Sequence, residues 1–76
     1  MIKEHERVVL TVAVPAEGLE AGDVGTVVLI HGNGLAFEVE FVGYDGHTVA
    51  LITLEHHQVR ALQASDIPHA RELTST

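Results

Sequence analysis

Residues 26–54 read TVVLIHGNGLAFEVEFVGYDGHTVALITL, three apolar runs separated by two turn signals. Asn33-Gly34 and Asp45-Gly46 supply the positive φ angles that two-residue hairpin loops require, so the stretch predicts three successive antiparallel strands. With Asn33 and Gly34 as loop residues, Ile30 stands opposite Phe37, Val28 opposite Val39 and Thr26 opposite Phe41. With Asp45 and Gly46 as the second loop, Phe41 faces Ala50, Val39 faces Ile52 and Phe37 faces Leu54. The two hairpins agree on one inner face, made of Thr26, Val28, Ile30, Phe37, Val39, Phe41, Ala50, Ile52 and Leu54. A one-residue slip of the central strand would bury Glu38 and Glu40, which is costly without partners, so the two carboxylates help to specify the register.

The opposite face carries Val27, Leu29 and His31, then Ala36, Glu38, Glu40 and Val42, then Val49, Leu51 and Thr53. That is an apolar outer face with two acids on its central strand. Val27, Leu29, Glu38, Glu40 and Leu51 are therefore the candidate protein-binding residues. The competing account is a set of scattered surface aliphatics around a solvated charge strip, which is ordinary in a soluble protein.

Working outward, RVVLTVAV (residues 7–14) predicts a first strand with Val8, Leu10 and Val12 inward. PAEGLEAGD (15–23) predicts a long irregular connection anchored by Leu19, with Asp23 capping its last turn and Gly25 marking a bulge or bend. EHHQV (55–59) predicts one tight helical turn before a short fifth strand carrying Val59, and a further helical turn is expected after Pro68. These elements predict an all-β fold: a small five-stranded SH3-like barrel over residues 1–62, followed by a short C-terminal tail, 63–76, partly flexible or docked. A five-stranded OB-type barrel is the competing architecture, but it places a helix where this chain has only GYDG (43–46).

At 76 residues the chain has room for one small core and no second domain. It has no cysteine, which removes disulfides, zinc ribbons and thiol catalysis together. Eleven acidic against four basic side chains give a formal charge of −7, which repels a phosphate backbone; nucleic acid is not an expected partner, and a basic protein is. The charged start MIKEHERVVL and the lack of an apolar run of roughly 18 residues predict a soluble, cytoplasmic protein with no membrane partner.

Six histidines raise the question of a metal. Adjacent His56 and His57 splay apart on a turn, and the histidine and cysteine spacings that mark zinc motifs are missing, so no metal ligand or other cofactor is assigned. A serine nucleophile would have to be Ser65 or Ser75, both in the tail and without a glycine-rich elbow. Glu38 and Glu40 share a face but have no cleft between them for acid–base chemistry. The glycines of EAGDVG (20–25) are not accompanied by the lysine and helix of a phosphate loop. No catalytic residue is assigned, and the expectation is a non-enzymatic protein.

The segments GLEAGDVGTVV (18–28), AFEVEF (36–41), DGHTVALITL (45–54) and QVR (58–60) together resemble a family of small bacterial domains known as domain of unknown function 4926. The resemblance runs from Glu6 to about Leu62 and implies the same compact β domain; it implies no activity. Gly22 to Val27 is also similar to the start of a KOW-type module, but the basic loop that such modules direct at RNA is missing. Two principal function classes follow. The first is a protein-interaction module, with an acidic neutralising partner of a basic protein, antitoxin or immunity-like, as its sharpest form. The second is a structural barrel that associates with itself as a homo-oligomer. Histidine-dependent metal binding is a distant third.

Overall fold

The computed structural model describes residues 1–73. Five strands, β1 (Arg7–Leu10), β2 (Val24–His31), β3 (Ala36–Val42), β4 (Thr48–Glu55) and β5 (Val59–Ala61), form one antiparallel sheet in the order β4-β3-β2-β1-β5. The fold is all-β, as its alternating runs and turn dipeptides predict. Among the described residues the helical pieces are two 3-10 turns, Pro15–Glu17 and His56–Gln58. The second is the turn expected from EHHQV. No helix among the described residues is long and apolar enough to cross a membrane.

The β3–β4 ladder has the expected register: Phe37 pairs with Leu54, Val39 with Ile52 and Phe41 with Ala50. The hairpin from β2 also starts as expected, Ile30 opposite Phe37, with Gly32, Asn33 and Gly34 all at positive φ. The ladder then shifts. Leu29 pairs with Glu38 but Val27 pairs with Val39, leaving Val28 as the extra residue of a β-bulge. This corrects three positions. Val27 points inward and is fully buried, Val28 is 37% exposed, and Thr26 lies opposite Glu40 on the outer face instead of facing Phe41.

The expected bulge at Gly25 is thus found three residues later, and Gly25 has a different task. A Cβ there would lie 2.6 Å from Val39 Cγ1, 2.9 Å from Phe41 Cε2 and 3.0 Å from the Glu40 carbonyl oxygen. Only a residue without a side chain lets β2 approach β3 this closely.

The core consists of Val8, Leu10, Leu19, Val27, Phe37, Val39, Phe41, Ala50, Leu54 and Val59, with Ile2, Val14, Ile30, Val49 and Ile52 packed at its margin. Leu19 is the anchor of the long connection, as expected. Val12 is not a core residue: β1 ends at Leu10, where the Thr11 N–H turns away to the Gln58 carbonyl (2.8 Å), and Val12 is 39% exposed. Asp23 does close the connection, accepting the Glu20 N–H at 2.8 Å.

Beyond β5, the described tail folds back on its own chain. Asp66 takes both guanidinium nitrogens of Arg60 at 3.0 and 2.9 Å and the Gln63 N–H at 2.7 Å. Arg71 grips Asp23 at 2.9 and 2.6 Å and donates to the Gly18 carbonyl at 2.9 Å. The residues after Pro68 do not form the expected helical turn. Their attachment is side chain to loop, which requires no regular backbone. Residues 74–76, including Ser75, lie outside the described residues.

Candidate interaction face

β3 lies between β2 and β4, so its outward side chains have neighbours on both sides. Glu38 is opposite Leu29 on β2 and Thr53 on β4; Glu40 is opposite Thr26 and Leu51. Side chains that share a face on adjacent strands are within hydrogen-bonding reach. Glu38 accepts from the Thr53 hydroxyl and meets His31 Nε2 at 2.9 Å, while Glu40 accepts from the Thr48 hydroxyl at 2.6 Å. These contacts hold both carboxylates in place. The Thr53 hydrogen bond first, and the His31 ring second, keep Glu38 below the usual carboxylate range.

Around the acids stand exposed aliphatics: Leu29 at 45%, Val42 at 49% and Leu51 at 57%. No lysine or arginine occurs on β2, β3 or β4. In the ladder the nearest cation is Arg7 on β1, opposite Thr26, which separates it from Glu40. Two of the four basic residues, Arg60 and Arg71, are held by Asp66 and Asp23. Arg60 pulls Asp66 down to about 2, and Arg71 lowers Asp23 against the opposing effect of its burial. Among the described residues the molecule therefore neutralises Asp66 of the tail and Asp23 of the β1–β2 connection and leaves the acids of β3 without a permanent cation.

Four of the five residues assigned from the sequence share this face: Leu29, Glu38, Glu40 and Leu51. Val27 does not, because the bulge at Val28 rotates it into the core. The polar partners His31, Thr48 and Thr53 were not assigned to the site. Parity along their strands gives the signal for His31 and Thr53, since both fall on the outer face. The 15–23 connection is partly covered by Arg71, which holds Asp23 and the Gly18 carbonyl.

The remaining polar groups are dispersed. His47 sits 3.1 Å from Asp45 at a hairpin tip and His57 3.8 Å from Glu55. The His56 and His57 rings stand edge to face, 5.7 Å apart. Among the described residues no three histidine, aspartate or glutamate side chains converge on a point. An open groove of about 780 Å³ separates the β3–β4 hairpin, at Tyr44, His47 and Val49, from the tail at Arg71 to Leu73. Ser65 is exposed in the turn after β5.

The model of a family described as Domain of unknown function (DUF4926) matches residues 4–61. The chain belongs to the DUF4926 family. The match takes in all five strands and the whole of the acidic face, and it ends at the last residue of β5, so the Arg60–Asp66 and Arg71–Asp23 attachments are made by a segment outside the family's span. No curated protein and no solved structure matches the chain.

Proposed function

We propose that this chain is a non-enzymatic protein-binding module, acting in the cytoplasm, whose outer β2–β3–β4 face docks on a basic protein and neutralises it. The observation that carries this reading is the pair Glu38 and Glu40, held by threonine and histidine instead of lysine or arginine and framed by exposed Leu29, Val42 and Leu51. Apolar side chains supply buried area, while unneutralised acids select and attract a partner of opposite charge. Two such faces placed against each other would oppose acid to acid, which argues against face-to-face self-association. The strand order, the long β1–β2 connection and the 3-10 turn before β5 support the SH3-like barrel as the architecture.

The test is affinity capture at native expression level, followed by titration of the captured partner. Wild-type protein is expected to recover a basic protein in stoichiometric amount, with affinity that falls as salt rises. Leu29→Arg and the double variant Glu38→Lys/Glu40→Lys should lose it while remaining folded. Recovery of no stoichiometric partner, or binding indifferent to all three substitutions, would sink the reading.

A further inference from the structure

The two ends of the sheet are treated differently. β5 is three residues long, carries Arg60 at its centre, and is followed by a turn that Asp66 pins back onto that arginine. Shortness and charge are the devices that keep an edge strand from pairing with another chain. β4, at the other end, has eight residues and no charge or proline from Thr48 to Leu54. A bulge at Val49 irregularises its start, where the Phe41–Ala50 pairing shifts to Val42–Thr48. From Ala50 to Leu54, nothing among the described residues guards the edge.

The backbone of that edge points outward at alternate residues. In an antiparallel ladder, residues alternate between bonding their partner strand and facing away from it. The His56 N–H bonds the Leu35 carbonyl, on the β3 side. Even-numbered residues of the regular part of β4 therefore face β3, and Leu51, Thr53 and Glu55 turn their N–H and C=O groups to the free side. Glu55 agrees: its N–H is taken by the Gln58 side chain at 2.8 Å, not by β3. Among the described residues, the backbone groups of Leu51 and Thr53 on that side have no protein partner.

We infer that β4 pairs antiparallel with β4 of a second copy of this chain, about a two-fold axis at Leu51, joining two sheets edge to edge. A perpendicular two-fold keeps the faces of the two sheets aligned, so Leu51 meets Leu51 of the second copy and Thr53 lies opposite Val49. The Leu51 side chain, 57% exposed in the monomer, is then covered by its own counterpart. The bulge at Val49 shifts the chain by one residue beyond this point, where the His47 carbonyl accepts the Gly43 N–H on the β3 side, so the pairing is confined to the residues around Leu51, where each copy offers the other the same outward N–H, C=O and apolar side chain. The second copy, instead of an unrelated strand, is favoured by this self-complementarity. The two β3 strips stay three strand spacings apart, about 14 Å, beyond the Debye length of about 8 Å at physiological salt, so their acids do not oppose the pairing. The arrangement does not depend on the docking reading; it takes Leu51 out of that face and leaves Leu29, Glu38, Glu40 and Val42 open in both copies.

Analytical ultracentrifugation over a micromolar to high-micromolar series tests it. Wild-type protein should sediment at twice the 8.2 kDa of the chain as concentration rises. Leu51→Pro removes an N–H that no intrachain partner uses, and Leu51→Lys opposes two cations at the axis while keeping that N–H; both should sediment as folded monomers. Leu29→Arg, on the outer face but away from the edge, should remain dimeric even if it loses the basic partner. A wild-type monomer throughout the series overturns the inference, as does a dimer that survives Leu51→Pro or is abolished by Leu29→Arg. None of these results depends on whether a basic partner is found.

Discussion

β2 and β3 lie side by side and are nearly equal in length, eight and seven residues, yet they are organised differently. β3 alternates without interruption: Phe37, Val39 and Phe41 inward, Glu38 and Glu40 outward. β2 alternates in two halves that are out of phase, divided at Val28. Without that extra residue, the parity that buries Val27 would also turn Leu29 and His31 inward, placing an imidazole in the core. With it, Val27 and Ile30 both point inward while Leu29 and His31 emerge beside Glu38. The bulge thus completes the core and the acidic face at once, and the uninterrupted strand beside it is the template on which both are built.

The largest expected effect separates the two valines that flank the phase change. Val27→Ala should cost about 2–3 kcal/mol, because it removes two methyl groups from a fully buried site. Val28→Ala should stay within about 0.5 kcal/mol, as for most exposed substitutions. Chemical denaturation of both variants measures the difference. A larger loss from Val28→Ala than from Val27→Ala would mean that β2 runs in one phase, with Val28 inward and Val27 beside Leu29 on the outer face.

A smaller effect is expected where β2 and β3 touch. Gly25→Ala forces a Cβ against Val39, Phe41 and the Glu40 carbonyl oxygen, an overpacking that typically costs about 1–3 kcal/mol. Combining it with Val39→Ala removes the closest contact, at 2.6 Å, but leaves the carbonyl at 3.0 Å. The double variant should therefore be more stable than the sum of the two single losses, yet less stable than Val39→Ala alone. Strict additivity would show that the strands do not approach so closely at this point.

The same contrast explains what could be read in advance. The β3 register and its pairing with β4 were legible because Glu38 and Glu40 penalise every slip and Asp45-Gly46 locates the turn. The bulge was not, because Val27, Val28, Leu29 and Ile30 are four consecutive aliphatics, and either phase places apolar side chains on both faces. Only the contacts of Gly25 with β3, and of His31 with Glu38, distinguish the phases, and both are tertiary. The end of β1 departs from the pattern for a related reason: VVLTVAV (8–14) continues the strand pattern past Leu10, where the backbone bond from the Thr11 N–H to the Gln58 carbonyl draws the chain away. The attachment of Arg71 to Asp23 spans 48 residues and has no local signature.

The finest expected effect lies in the side-chain link between the two strands. Glu38 is held below the ordinary carboxylate range by the Thr53 hydroxyl on β4 and, to a lesser degree, by His31 on β2. Thr53→Val should therefore raise its titration midpoint more than His31→Ala does, as followed by NMR of the side-chain carboxyl carbon. The sign of the stability effect follows from linkage. A carboxylate whose folded pKa lies below its unfolded value stabilises the fold above the unfolded value, near 4.5 for this residue, and loses that contribution as pH falls through the folded value. The difference in stability between wild type and Thr53→Val should accordingly narrow on acidification through that window and be constant above it. If His31→Ala moved Glu38 more than Thr53→Val did, the phase change in β2, and not the regular β3–β4 ladder, would be the main support of the acidic face.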